Sequence, residues 1–72
     1  MRDYTELVEI AKAGGRIILP PEKKYTTEEL VSIAEGIKQG GGKLIIQEAG
    51  RYNSEDLVRI SQAAPTQVYV YE

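Results

Sequence analysis

The sequence predicts an α/β fold in which three tandem helix–strand repeats, in the order αβαβαβ, form a three-stranded parallel sheet with helices packed on it. The repeats cover about residues 2–19, 25–46 and 52–71, and they align without gaps through their first halves. Each repeat begins with a capping residue and an amphipathic helix, and each ends in a short apolar strand. Strands separated by helices pair in parallel through right-handed crossovers.

Each predicted helix begins at a residue whose side chain can cap the first turn. These residues are Asp3, Thr26 and Asn53, and their side-chain oxygens can accept hydrogen bonds from free backbone amides. An acidic residue follows three positions later in every repeat. This is the spacing of a capping box, and it places negative charge at the positive end of the helix dipole.

One face of each helix is apolar, because leucine and isoleucine recur three residues apart. A column of small residues also runs through the alignment and contains Ala13, Gly36 and Ala63. Glycine inside a helix costs about 1 kcal/mol relative to alanine, so Gly36 predicts a close approach to a neighbouring backbone. The aligned apolar residues are Leu7, Leu30 and Leu57, then Val8, Val31 and Val58, then Ile10, Ile33 and Ile60.

Helix-breaking residues mark the end of each helix. The first helix is predicted to end at residues 14–15 and the second at 40–42, where glycine adopts the left-handed conformation that closes helices. The third is predicted to end at Ala64, before a proline that cannot continue it. The apolar strands that follow are 17–19, 44–46 and 68–71.

Two strand orders are compatible with this pattern. The capping residues are 23 and then 27 residues apart, a period typical of αβ solenoids, in which about three repeats make a stable stack. This favours the order 1-2-3, with the second and third helices on one face. The alternative order, 2-1-3, places those helices on opposite faces in a three-layer sandwich. The chain is then either a small independent protein or a piece of a longer repeat array.

Composition argues against several classes of function. The 72-residue chain has no cysteine, no histidine and a formal net charge of −2. It therefore offers no disulfide framework, no thiolate metal site and no basic stripe for nucleic acid. It has no apolar run of about 18 residues that could span a membrane, so a single cytoplasmic domain is expected. A chain this short buries only about 60% of its unfolded surface, which favours oligomerisation.

The sequence contains no catalytic or cofactor motif. Its glycine clusters precede strands, whereas phosphate-binding loops place glycine after a strand and before a helix. General acid–base chemistry would fall to Glu48, a lysine or a tyrosine with a strongly shifted pKa, and a small chain has little interior in which to shift it. The expectation is a protein that is not an enzyme and holds no cofactor or metal.

One candidate binding surface is the pair of loops 20–26 and 47–53. Ligands of open parallel sheets bind beyond the carboxyl ends of the strands, and both loops place a base and a tyrosine just before a helix cap. A small anion or ligand is the functional interpretation. The structural alternative is that each tyrosine packs on its own helix as a hydrophobic staple. This loop cluster contains Lys23, Lys24, Tyr25, Glu48, Arg51 and Tyr52.

The second candidate is the face of the sheet that points away from the helices. Side chains alternate along a strand, so the neighbours of the helix-facing residues form a second apolar set. Tyrosine suits an interface because its ring is apolar and its tip is polar. We therefore expect self-association, as a homodimer, or binding to another protein, with ligand binding at the loop cluster as the alternative. The outward-facing residues are Ile18, Ile45, Tyr69 and Tyr71.

Overall fold

The computed structural model describes residues 3–21 and 24–72 and has the predicted α/β fold. Its three strands form one parallel sheet in the order β1-β2-β3, so the order 1-2-3 is confirmed and the alternative 2-1-3 is wrong. The elements are α1 Tyr4–Lys12, β1 Ile17–Leu19, α2 Thr27–Gly40, β2 Leu44–Ile46, a short 3₁₀ helix Ala49–Arg51, α3 Ser54–Ala63 and β3 Val68–Val70.

The three predicted caps are confirmed. The side chains of Asp3, Thr26 and Asn53 each accept a hydrogen bond from the backbone amide three residues later. At Thr26 the capping box is complete, because the Glu29 carboxylate also accepts from the Thr26 amide at 2.9 Å. The caps satisfy amides that would otherwise lack partners, and they therefore fix where each loop ends and each helix begins.

The glycine-rich segments close the first two helices, but only some of these glycines act as predicted. Gly14 and Gly41 have positive φ angles of 96° and 82°, a conformation that glycine adopts without strain. The prediction is wrong for Gly15, Gly40 and Gly42, which do not have positive φ. A Cβ on Gly40 or Gly42 would collide with the backbone of residues 11–15. These two glycines therefore allow the first two helix–strand units to touch.

The core lies between the helices and one face of the sheet. The first and last residues of β1 and of β2 point toward the helices and are buried. Gly36 brings α1 and α2 together as predicted, since a Cβ there would lie 3.0 Å from the carbonyl oxygen of Val8. The largest fully buried side chains are Leu30, Ile33, Ile37, Leu44, Ile46 and Ile60.

The opposite face of the sheet is covered by none of the described elements. The register places Ile18 beside Ile45 and Ile45 beside Tyr69, so one row of side chains crosses all three strands. Ile18 is 59% exposed and Tyr69 is also exposed, whereas Ile45 is half-buried between them. β3 is one residue shorter than predicted, although the Tyr71 amide still donates to the carbonyl oxygen of Ile46 at 2.9 Å.

Candidate functional site

One of the two candidate surfaces is the exposed side of the sheet, and we call it the open face; it comprises Ile18, Ile45, Tyr69 and Tyr71. Tyr71 follows Tyr69 by two residues, so it lies on the same side of the chain, and it is exposed. Exposed apolar side chains that cluster in one patch mark interaction sites, whereas single ones are ordinary. The side chains of this face are aliphatic or phenolic, which suits contact with another apolar surface.

Lys43 forms a polar border at one end of the open face. Its ammonium group donates a hydrogen bond to the Tyr69 hydroxyl at 3.1 Å and lies 5.2 Å from the centre of the Tyr69 ring. The contact orients the ring and places a positive charge beside it. Sequence reasoning missed Lys43. The available signal was its position two residues before Ile45, but its approach to Tyr69 depends on β2 and β3 being neighbours.

The loop cluster is held together by its two tyrosines. Tyr25 is only 3% exposed and belongs to the same core as Leu30, as the staple interpretation predicts. Burial raises the pKa of its hydroxyl, and the nearby carboxylates of Glu29 and Asp3 raise this pKa further. Tyr52 is half-buried, and its hydroxyl donates to the carbonyl oxygen of Tyr25 at 3.2 Å. The Tyr25 ring therefore has little surface left for a ligand.

The charged members of the loop cluster that the structure describes are exposed. Lys24, Glu48 and Arg51 all face solvent, and Lys23 lies outside the described residues. The Arg51 guanidinium lies 5.8 Å from the centre of the Tyr52 ring. In the part of the chain that the structure describes, these side chains line no pocket. The sheet topology brings the two loops to one edge as predicted, but the arrangement contains no cavity to hold a small ligand.

Two other kinds of site were sought within residues 3–21 and 24–72. No three acidic, histidine or cysteine side chains there are grouped as a metal site would require. None of the helices in the same ranges has the length and apolar character needed to cross a membrane.

Comparison of the chain with protein-family models, with curated proteins and with solved structures finds no match. The surfaces of the molecule are therefore the guide to its function. Of the two candidates, the open face has the more continuous exposed apolar surface.

Proposed function

We propose that the protein is a non-enzymatic module of tandem αβ repeats that acts through protein–protein contact at the open face, with a second copy of itself as the first partner. The observation that carries this proposal is the row formed by Ile18, Ile45 and Tyr69, which crosses the whole sheet on its uncovered side. Lys43 gives the row a charged border, and apolar patches with polar rims are typical of interaction surfaces.

Burial of this row would supply the driving force for association. Apolar surface removed from water contributes about 25 cal/mol per Å², against an association cost of about 4–15 kcal/mol. Tyr69 and Tyr71 add large apolar area with few rotatable bonds, so little conformational entropy is lost when they are held. A two-fold axis uses the same patch on both subunits, and a closed dimer is therefore the simplest product.

The non-enzymatic part of the proposal rests on the chemistry of the available side chains. The chain contains no histidine or cysteine, which are the commonest bases and the strongest nucleophiles near neutral pH. Among the described residues, Tyr25 is an ionisable side chain within the core, and burial raises the pKa of its hydroxyl. That shift is opposite to the one that a catalytic base or nucleophile requires.

Light scattering over a range of protein concentrations tests the proposal. The wild type is expected to reach at least the mass of a dimer, whereas the variant Tyr69→Lys/Tyr71→Lys is expected to have a lower average mass at the same concentration. A control with the same change in charge places two lysines at exposed helix positions, as Gln39→Lys/Gln62→Lys, and should associate like the wild type. A monomeric wild type at high concentration, or equal association of both double variants, would contradict the proposal.

A further inference from the structure

The outer side of α1 exposes an apolar residue that the other helices bury. α1 packs on α2 and α2 packs on α3, so α2 is the middle helix of the row. Ile10 of α1 is 37% exposed, whereas the aligned Ile33 of α2 and Ile60 of α3 are fully buried. α2 packs against α1, and α3 packs against α2, so each of these two helices has a preceding helix beside it. α2 packs on the other side of α1, and Ile10 is therefore exposed in the described structure.

The outer side of α3 and β3 is uncovered in the corresponding way. Val58 of α3 is 53% exposed, whereas the aligned Val8 and Val31 are partly buried. Val70 of β3 is also exposed, although its neighbour across the sheet, Ile46, is buried. β1 and β2 each have a helix before and after them. In the described structure, Val58 and Val70 therefore form an exposed apolar edge beside α3 and β3.

The packing of α1 against α2 shows how these two ends could meet. Val8 and Ala11 of α1 lie against Gly36 of α2. A Cβ on Gly36 would lie 3.0 Å from the carbonyl oxygen of Val8 and 3.2 Å from the Cβ of Ala11. We call the side of a helix that faces the next helix along the chain its leading side; in α1 it carries Val8 and Ala11. We call the side that faces the preceding helix its receiving side; in α2 it carries the small residue Gly36.

From this we infer that a second copy of the chain stacks head to tail on the first, with its α1 against the outer side of α3. In the alignment, Val58 and Ser61 hold the leading positions of α3, and Ala13 holds the receiving position of α1. The stack brings Val58 and Ser61 of one copy against Ala13 of the next. Alanine fits the receiving position, because Ala63 occupies it in α3, and α3 packs on α2.

The free edges of the sheet complete the same contact. β3 pairs only with β2, and β1 also pairs only with β2, so each leaves one edge of backbone donors and acceptors that can recruit a strand. Continuing the parallel register places Val68 beside Ile17 of the second copy and Tyr69 beside its Ile18. The outward-facing side chains of the two copies then form one continuous line across six strands.

The stack would also enlarge the surface that the open face offers to a partner. Strands lie about 4.8 Å apart, so a three-stranded face is only about 10 Å across, whereas a stable interface buries about 800 Å² on each partner. Stacking adds the contact between helices and widens the open face with every copy. Because the two ends differ, the contact is heterologous and gives an open-ended chain of copies unless its rotation closes a ring.

A salt bridge inside the chain suggests a substitution that would strengthen the contact between α3 of one copy and α1 of the next, which we call the joint. Glu28 of α2 pairs with Arg59 of α3 at 2.8 Å. At the joint the aligned positions are Glu55 of one copy and Glu9 of the next, so two carboxylates meet. The substitution Glu9→Arg would restore the internal pairing across the joint. We expect it to tighten stacking about two- to fivefold, and the reverse effect would count against this register.

Disulfide crosslinking tests the stack directly, because the chain has no cysteine of its own. Gly36 is the residue aligned with Ala13, and Ala11 is the residue aligned with Ser61; a Cβ placed on Gly36 would lie 3.2 Å from the Cβ of Ala11, close to the separation of about 3.5–4.5 Å in disulfides. Mild oxidation of the variant Ala13→Cys/Ser61→Cys should give a ladder of covalent oligomers. The control Ala13→Cys/Glu35→Cys, whose second cysteine is on the solvent side of α2, should give none.

No ladder in a folded Ala13→Cys/Ser61→Cys protein, or equal ladders from both pairs, would overturn the stack. Circular dichroism establishes that each variant is folded. Repeating the crosslinking with Tyr69→Lys/Tyr71→Lys present separates the two proposals. A ladder that persists there supports stacking even if the open face makes no contact of its own, and a ladder that disappears from the folded variant overturns stacking as an independent contact.

Discussion

The hydroxyl of Tyr52 donates a hydrogen bond to the backbone carbonyl oxygen of Tyr25 across a distance of 3.2 Å. This bond ties together the two loops that lead into α2 and α3. Tyr52→Phe keeps the ring and removes the donor, so the partly buried carbonyl loses a partner. We expect the free energy of unfolding to fall by about 1 kcal/mol in chemical denaturation. Tyr4→Phe is the control, and an equal loss in both variants would contradict the specific role of the bond.

The two adjacent glycines at the end of α2 should respond differently to alanine. Gly41→Ala meets no neighbouring atom, and its cost is the strain of a positive φ, about 1–2 kcal/mol. Gly40→Ala gains about 1 kcal/mol of helix propensity, but its methyl group collides with the carbonyl oxygen of Ala11. We expect Gly40→Ala to be the more destabilising of the two in urea denaturation. The opposite order would show that α1 and α2 are not held so closely.

Stability at alkaline pH should depend on Tyr25. Its pKa is raised in the folded protein by burial and by the carboxylates of Glu29 and Asp3, whereas the unfolded chain ionises near pH 10. The folded state therefore holds the proton more tightly. The stabilisation is complete below about pH 10 and is lost as the pH rises through the unfolded and then the folded pKa. Denaturation between pH 8 and 11 should show this decline, and Tyr25→Phe should reduce its slope. An unchanged slope would contradict the assignment.

The loop cluster should not bind inorganic phosphate. Lys24 and Arg51 are exposed, and in the described part of the chain they line no pocket, so water screens their charges. In an NMR titration at moderate salt, we expect the amide resonances of both residues to stay in place. Saturable shifts at these amides that are lost in Lys24→Ala and Arg51→Ala would instead favour an anion-binding function.

Local sequence signals account for the parts of the fold that depend on neighbouring residues. The caps at Asp3, Thr26 and Asn53 follow from one side chain and one nearby amide. The exposure of Ile18 follows from strand alternation, because its position between two buried residues places it on the other side of the sheet. These features could be predicted because every atom involved lies within a few residues.

Contacts between distant segments could not be predicted in the same way. Gly40 and Gly42 were expected to close a helix, but their role depends on where the end of α1 lies relative to α2. The bond from Lys43 to Tyr69 requires β3 to lie beside β2. The deep burial of Tyr25 depends on the core beneath its loop. Each is a tertiary relationship between segments that are far apart in sequence.

A dilution series followed by NMR tests the central claim, association through the open face, most directly. Ile45 lies on the middle strand, so its resonances report contact with the face rather than stacking at the edges of the sheet. We expect the Ile45 methyl resonances to shift progressively as the protein concentration rises, while those of the buried Ile33 stay fixed. Ile45 resonances that do not change up to millimolar concentration would contradict the claim.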